Sequence, residues 1–391
     1  MPYIARRTRE HPPGVPFRLI NLLRELRHQG EDLIDLGWGG PHRLPAPHVL
    51  ASVVDGCRAE DAFSSPHIIP SLPEAIGEWY RSRFGVSLDR NSEILPVWGN
   101  LEGLLSLPLA FLDTGDGILL PNPGNPQYVF LSSTVDAQVT FYPLSPARSF
   151  LPSFEALKPL VTPRVRLLVL QLPSDPTATV GSRDLLAQAV DFCRRHDLVL
   201  VHDRRLGEIT DDGVSSPSVF EVPGAREVAV EYGSFTYSFH MAGARLGYFV
   251  GGSPLIAAMA RTRGPFPLGP FLPIQRAAIQ ALTHSDRDAA IEGVRVLYRD
   301  RRNALLQALA SVGWAIPPSP CPLYVWAPVP GGDDDRFVER CLIEAGVVFT
   351  PGRTFGDAGR GYVRMDLSKE ELPRLMEAVD RLQPLLVPLL S

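Results

Sequence analysis

The chain has 391 residues, 45% hydrophobic and 21% charged, with a formal net charge of −5. That is enough apolar chain for a large core in two domains, and with no basic run interleaved with aromatics it excludes a nucleic-acid surface. The longest apolar runs, such as LLSLPLAFL from Leu104, are too short and interrupted to span a bilayer, and MPYIARRTRE lacks an apolar signal core, so a cytoplasmic location is expected.

The proline-rich start HPPGVPFRLINLLREL reads as an extended arm leading into a helix. LPEAIGEWYRSRFG is an amphipathic helix, EILPVWG a short strand, LEGLLSLPLAFLD a helix and GILLPNPG a strand with its turn. QVTFYPL, VRLLVLQL, LVLVHD and EVAVEYGS read as further strands, with the helix SRDLLAQAVDFCRRH between two of them. Strands that are apolar throughout and separated by helices predict an α/β fold: a mostly parallel sheet, helices on both faces, and functional residues at the carboxyl ends of strands. Asp203, after LVLVH, and Ser234, after EVAVEYG, fall at such ends. Beyond GPFPLGPFLPIQRAAIQAL, the long charged helix SDRDAAIEGVRVLYRDRRNALLQALASVG leads to a smaller domain with strands in LYVWAPV, GVVFTPG and GYVRMDL. The expected division is an arm with part of the small domain over residues 1–45, a large domain over 46–280, and the interdomain helix with the small domain over 281–391. Cys57, Cys193, Cys321 and Cys341 are far apart with no C-x-x-C spacing, so neither a zinc site nor a disulfide frame is expected. All four read as buried, small apolar side chains.

The most informative stretch is SFTYSFHMAGARLG, Ser234 to Gly247. With IDLGWGGP, FGVSLDRNSEILPVWGNLEGL, LDTGDGILLPNPGNPQY, LPSDPTATV, VHDRRLGEI, YVWAPVP, TPGRTFG and GYVRMDL, in that order, it resembles the class I/II aminotransferases of fold type I over nearly the full chain. The likeness is nearest the LL-diaminopimelate and N-acyl-diaminopimelate aminotransferase branch. In that family an S-x-S-K pattern, a spacer and G-x-R-x-G set a serine and an arginine on the phosphate of pyridoxal phosphate (PLP). The lysine amine forms an imine with the cofactor aldehyde. Ser234, Gly243, Arg245 and Gly247 keep the spacing, but Tyr237 stands at the lysine position, and a phenol forms no imine. The chain has two lysines, Lys158 and Lys369, neither in a segment suited to replace it.

The resemblance implies further roles. Asp203 would pair with the pyridine nitrogen and keep it protonated. Ser234 and Arg245 would hold the phosphate, helped by backbone amides near Asn100 and Leu101 where a helix opens after Gly99. Arg364 would clamp the substrate α-carboxylate through a bidentate contact, with Gly39 on the substrate side. Departures accompany these matches. Leu206 replaces a tyrosine that donates to the cofactor phenolate. Asp175 replaces an asparagine that donates to the same oxygen, which a carboxylate would repel. Asn125 replaces a ring that stacks on the cofactor. The segment SSPHIIPSLPEAI, around His67 and Ser71, lacks the pattern by which one family subunit completes its neighbour's site. Arg204 and Arg205 add positive charge beside Asp203, and are expected to pair with Asp175 or Asp203 and fill the cofactor volume.

These departures lead to the expectation of a repurposed pocket that holds no cofactor, has left imine chemistry, is no ordinary transaminase, and acts on or binds a small carboxylate- or phosphate-bearing metabolite. Tyr237 and His240 would be its paired acid–base groups. One alternative is an enzyme that holds PLP or pyridoxamine phosphate noncovalently, as in some sugar dehydratases of this fold. Another is a noncatalytic partner subunit of an active paralogue. A homodimer is expected, or a heterodimer with that paralogue, with neither nucleic acid nor membrane as partner.

Overall fold

The computed structural model describes residues 17–64, 67–264 and 268–390, so the arm expected from HPPGVP lies outside the described residues. The first described helix, Phe17–His28, leads to a two-residue strand, β1 (Ile34–Asp35). The main sheet is built from β2 (Ile94–Val97), β3 (Gly117–Asn122), β4 (Gln138–Pro143), β5 (Val165–Gln171), β6 (Val199–Asp203), β7 (Ala229–Ser234) and β8 (Gly247–Gly251). Their order is β2-β8-β7-β6-β5-β3-β4. The pairs among β3 to β7 are parallel, while β8 runs antiparallel to both β2 and β7. The mostly parallel α/β sheet read from the sequence is therefore present.

Burial explains the strand pattern. β2, β7 and β8 are buried at every position, and β5 at all but Arg166, because helices cover both faces; β4, at the edge, buries only Tyr142. The helix Arg183–His196 opens on Ser182, whose Oγ accepts the Leu185 amide at 3.1 Å, and buries Leu185, Leu186, Ala189, Val190, Phe192 and Cys193 against the sheet. A second core joins the two ends of the described chain. Leu19, Leu23 and Ile34 pack with Leu305, Phe337, Val347, Met365 and Leu382 around β9 (Tyr324–Pro328), β10 (Val347–Val348), β11 (Thr350–Pro351) and β12 (Tyr362–Asp366).

Several local expectations need correction. EVAVEYGS becomes strand only from Ala229, because Ala225–Val228 is a short helix. GVVFTPG splits in two: β10 pairs in parallel with β1, and β11 pairs antiparallel with β12. β8, in GYFVG, was not expected as a strand. Cys57 is exposed on its helix, whereas Cys193, Cys321 and Cys341 are buried; burial pushes the Cys321 thiol up to about 12. Among the described residues no helix is long and apolar enough to cross a membrane.

Candidate active site

The carboxyl ends of the parallel strands bring the candidate residues together. In register, Gln171 of β5 stands beside Asp203 of β6, Asp203 beside Tyr232 of β7, and Ser234 of β7 beside Gly247 of β8. Gly247 is required here: a Cβ would lie 2.5 Å from the Tyr232 hydroxyl. That hydroxyl donates to Asn100 Oδ1 at 2.6 Å and so ties β7 to the start of the helix Gly99–Phe111. Gly99 has φ +68 and a Cβ there would lie 3.3 Å from the Arg245 backbone, so the helix start and Arg245 approach closely only without a side chain. Arg245 is exposed, and Ser234 Oγ accepts the Thr236 amide at 3.2 Å. Guanidinium, hydroxyl and helix-start amides form one cationic, donor-rich end. Asn100 serves it through Tyr232. Leu101 is 56% exposed and brings its backbone to this end while its side chain is left in the open.

Asp203 marks the other end, and it is already paired. It is 0% exposed, and Arg205, 4% exposed, clamps it. The Arg205 backbone amide donates to Oδ1 at 3.2 Å, Nε donates to Oδ1 at 3.0 Å and Oδ2 at 2.9 Å, and Nη2 also donates to Oδ2. The Tyr128 hydroxyl adds 2.8 Å to Oδ2. Burial opposes the guanidinium charge, yet the Asp203 carboxylate holds the Arg205 pKa well above its ordinary value. Arg205 thus pairs as expected, while Arg204 turns away. It donates to Glu208 at 3.0 Å and to the Ser216 carbonyl at 2.7 Å, and lies 4.5 Å from the Phe84 ring centroid.

Arg364 is likewise engaged. Nη1 donates to Asp175 Oδ1 at 2.8 Å and Nη2 to the Gly37 carbonyl at 2.9 Å, with the guanidinium 4.7 Å and 5.0 Å from the ring centroids of Tyr324 and Phe355. Asn125 Nδ2 donates to the other oxygen of Asp175 at 2.9 Å. Asp175 therefore neutralises the arginine expected to take a substrate carboxylate, and Asn125 serves Asp175. Gly37, rather than Gly39, touches Arg364; Gly39 is exposed and faces Ser368 and Lys369.

Tyr237 and His240 are not a pair. The Tyr237 hydroxyl is 3.3 Å from that of Tyr324, and Tyr237 packs with Leu206, Tyr298 and Tyr324. His240, turned by a left-handed φ of +52, sets Nε2 3.2 Å from the Tyr298 hydroxyl. Burial, then Asp366, raises the Tyr237 pKa above the ordinary phenol value, so at neutral pH it holds its proton. Burial, with Arg301 and Arg43 alongside, pushes the His240 imidazole down to about 4. The folded His240 pKa lies below the ordinary 6.5, so the unfolded chain binds this proton first as pH falls. Its contribution to stability is full above pH 6.5 and declines toward pH 4, and His240→Gln should flatten the stability–pH profile in that window, as read from urea midpoints.

Sequence reasoning missed Tyr128, Tyr232, Tyr324, Phe355 and Gly37. Each lies in a segment quoted above, Tyr128 in LDTGDGILLPNPGNPQY, Tyr232 in EVAVEYGS, Tyr324 in YVWAPVP, Phe355 in TPGRTFG and Gly37 in IDLGWGGP, and that membership was the available signal.

A cationic, donor-rich end and an aspartate at adjacent strand ends of a seven-stranded mixed sheet, with a buried arginine on a second sheet, define the architecture of fold type I. Residues 31–379 match the model for aminotransferase class I and II, and the chain belongs to that family. It is 36% identical to the LL-diaminopimelate aminotransferase of Moorella thermoacetica over 98% of each chain. To the glutamate-pyruvate aminotransferase AlaC of Escherichia coli it is 34% identical, covering 93% of this chain and 90% of the other. Apo-BacF from Bacillus subtilis superposes with a TM-score of 0.93 at 28% identity, covering 100% of both chains.

These relatives correct the functional expectation. Proteins about 35% identical over nearly the whole chain carry aminotransferase names, so the reading of a repurposed pocket or noncatalytic partner outside transamination is overturned. The family implies dependence on PLP. The residues fit that group at one end: Arg245, Ser234 and the helix start suit a phosphate. Two buried polar groups, the Gln171 amide and Arg364 Nε, make no hydrogen bond among the described residues and are further donors for a ligand. At the ring end, Asp203 fits a pyridine nitrogen once Arg205 withdraws.

Proposed function

We propose that this protein is an aminotransferase that moves the amino group of an α-amino acid to a 2-oxo acid, using PLP or pyridoxamine phosphate held without a covalent bond to the chain. The observation that carries this reading is the 36% identity, across 98% of both chains, to an LL-diaminopimelate aminotransferase. The noncovalent part rests on Tyr237 and on the two lysines: Lys158 is exposed, and Lys369 Nζ is engaged with Asp35 Oδ2 at 2.9 Å.

Bound there, the cofactor supplies the carbonyl that accepts the amino group and a ring that takes up electron density. The chain's own part is binding and proton placement. Arg245 and Ser234 anchor the phosphate; Asp203 favours a protonated ring nitrogen. Arg364, fixed between Tyr324 and Phe355, receives the substrate carboxylate in exchange for Asp175. Tyr237 Oη, protonated at neutral pH, is a proton donor inside the pocket, and the neutral imidazole of His240 is a base on its rim, relayed through Tyr298. LL-diaminopimelate, alanine and aromatic amino acids are the first donors to try, scored by transfer of an isotope-labelled amino nitrogen to 2-oxoglutarate. Exposed Trp98, Leu101, Leu109 and Leu268 beside the phosphate end support a homodimer through this face.

A further inference from the structure

We infer that Arg205 is a latch on Asp203: its guanidinium occupies the carboxylate, and it has to leave when a pyridine nitrogen takes that place. Its departure thereby sets the affinity for the cofactor. This inference rests on the cofactor reading above.

The Asp203 carboxylate is already saturated with donors. An ionised carboxylate offers roughly four lone-pair sites. Oδ1 of Asp203 accepts the Arg205 backbone amide and Nε, and Oδ2 accepts the Tyr128 hydroxyl together with Nε and Nη2 of Arg205. A ring N–H finds no free lone pair until the guanidinium moves. The Arg205 backbone amide is held by the hydrogen-bonded turn after β6 and Tyr128 by the helix Gln127–Ser132, so the Arg205 side chain is the partner free to leave. Exchanging one cation for another keeps the buried carboxylate neutralised, which a ligand without a ring cation could not do. The displaced guanidinium has a receiving surface within reach, the Tyr232 ring, 6.0 Å from it to the centroid.

Such a pairing is expected to weaken cofactor binding without forbidding it. The apparent affinity falls below that of the open site by the fraction of molecules with Arg205 off Asp203. Removing the latch should recover that factor.

The test is a titration of the full-length protein with pyridoxamine phosphate, followed by absorbance and heat, for the wild type, Arg205→Gln and Arg205→Lys. Pyridoxamine phosphate carries no aldehyde, so surface lysines cannot imitate binding. Arg205→Gln should bind at least about tenfold more tightly, and Arg205→Lys, which keeps the charge but not the two-oxygen clamp, should fall between. Should the glutamine variant fail to fold, as thermal melting would reveal, the lysine variant decides. Equal or weaker binding by the folded variants, while the wild type binds, overturns the latch and leaves the cofactor reading standing. If neither the wild type nor any variant binds pyridoxamine phosphate or PLP, the cofactor reading fails and the latch falls with it.

Discussion

Asp203→Ala is expected to cost about 3–5 kcal/mol of folding stability, seen as a large fall in the urea midpoint, because it strands a buried guanidinium. Arg205 is 4% exposed and gives its side-chain donors to Asp203. Water cannot replace the carboxylate without opening the strand end between β5 and β7. The paired change Asp203→Leu with Arg205→Leu should be milder than Asp203→Ala, since no unpaired charge is then buried. A midpoint unchanged by Asp203→Ala would mean that the pair is solvated and contributes nothing to the fold.

The second large effect concerns Arg364. Arg364→Leu should lower kcat/KM for amino transfer by at least about a hundredfold, since a bidentate carboxylate contact consists of two charge-assisted hydrogen bonds worth about 1.5–3 kcal/mol each. The lower end applies because the substrate carboxylate must displace Asp175, already 2.8 Å from Nη1. Asp175→Asn therefore carries the opposite sign: with the competing charge removed and Asn125 still a neighbour, KM should fall. If Arg364→Leu and Asp175→Asn both leave kcat/KM unchanged, the substrate carboxylate binds elsewhere.

The central sheet could be read from the chain because β3, β5, β6 and β7 are apolar runs covered on both faces, a pattern that survives in sequence without knowledge of neighbours. β8 was harder, since GYFVG is short and glycine-bounded and owes its strand character to the antiparallel partners β2 and β7. The approach of Ser234 and Arg245 at the ends of β7 and β8 was legible from their spacing. The charged pairs were only half legible. Adjacent arginines 204 and 205 look alike in sequence, but one meets Asp203 and the other Glu208, a choice made by the turn after β6. Asp175 was expected to face the cofactor; the partner it finds, Arg364, lies 189 residues away on another sheet. Tyr237 and His240 were expected to meet as a paired acid and base, on the ground that an imidazole and a desolvated phenol can trade protons. The left-handed turn at His240 instead directs the imidazole to Tyr298, while Tyr237 meets Tyr324.

The functional correction has a similar origin. Single departures such as Tyr237 and Leu206 bear on how the cofactor is held, whereas likeness along nearly the whole chain bears on the reaction class, and the second outweighs the first.

The most direct measurement is transfer of an isotope-labelled amino nitrogen from LL-diaminopimelate, alanine or an aromatic amino acid to 2-oxoglutarate, by protein loaded with PLP or pyridoxamine phosphate, with labelled glutamate read by mass spectrometry. The account predicts saturable labelled glutamate with at least one donor, dependent on the protein and strongly reduced by Arg364→Leu. Absence of labelled glutamate with every donor, from protein shown by absorbance to be holding cofactor, would contradict it.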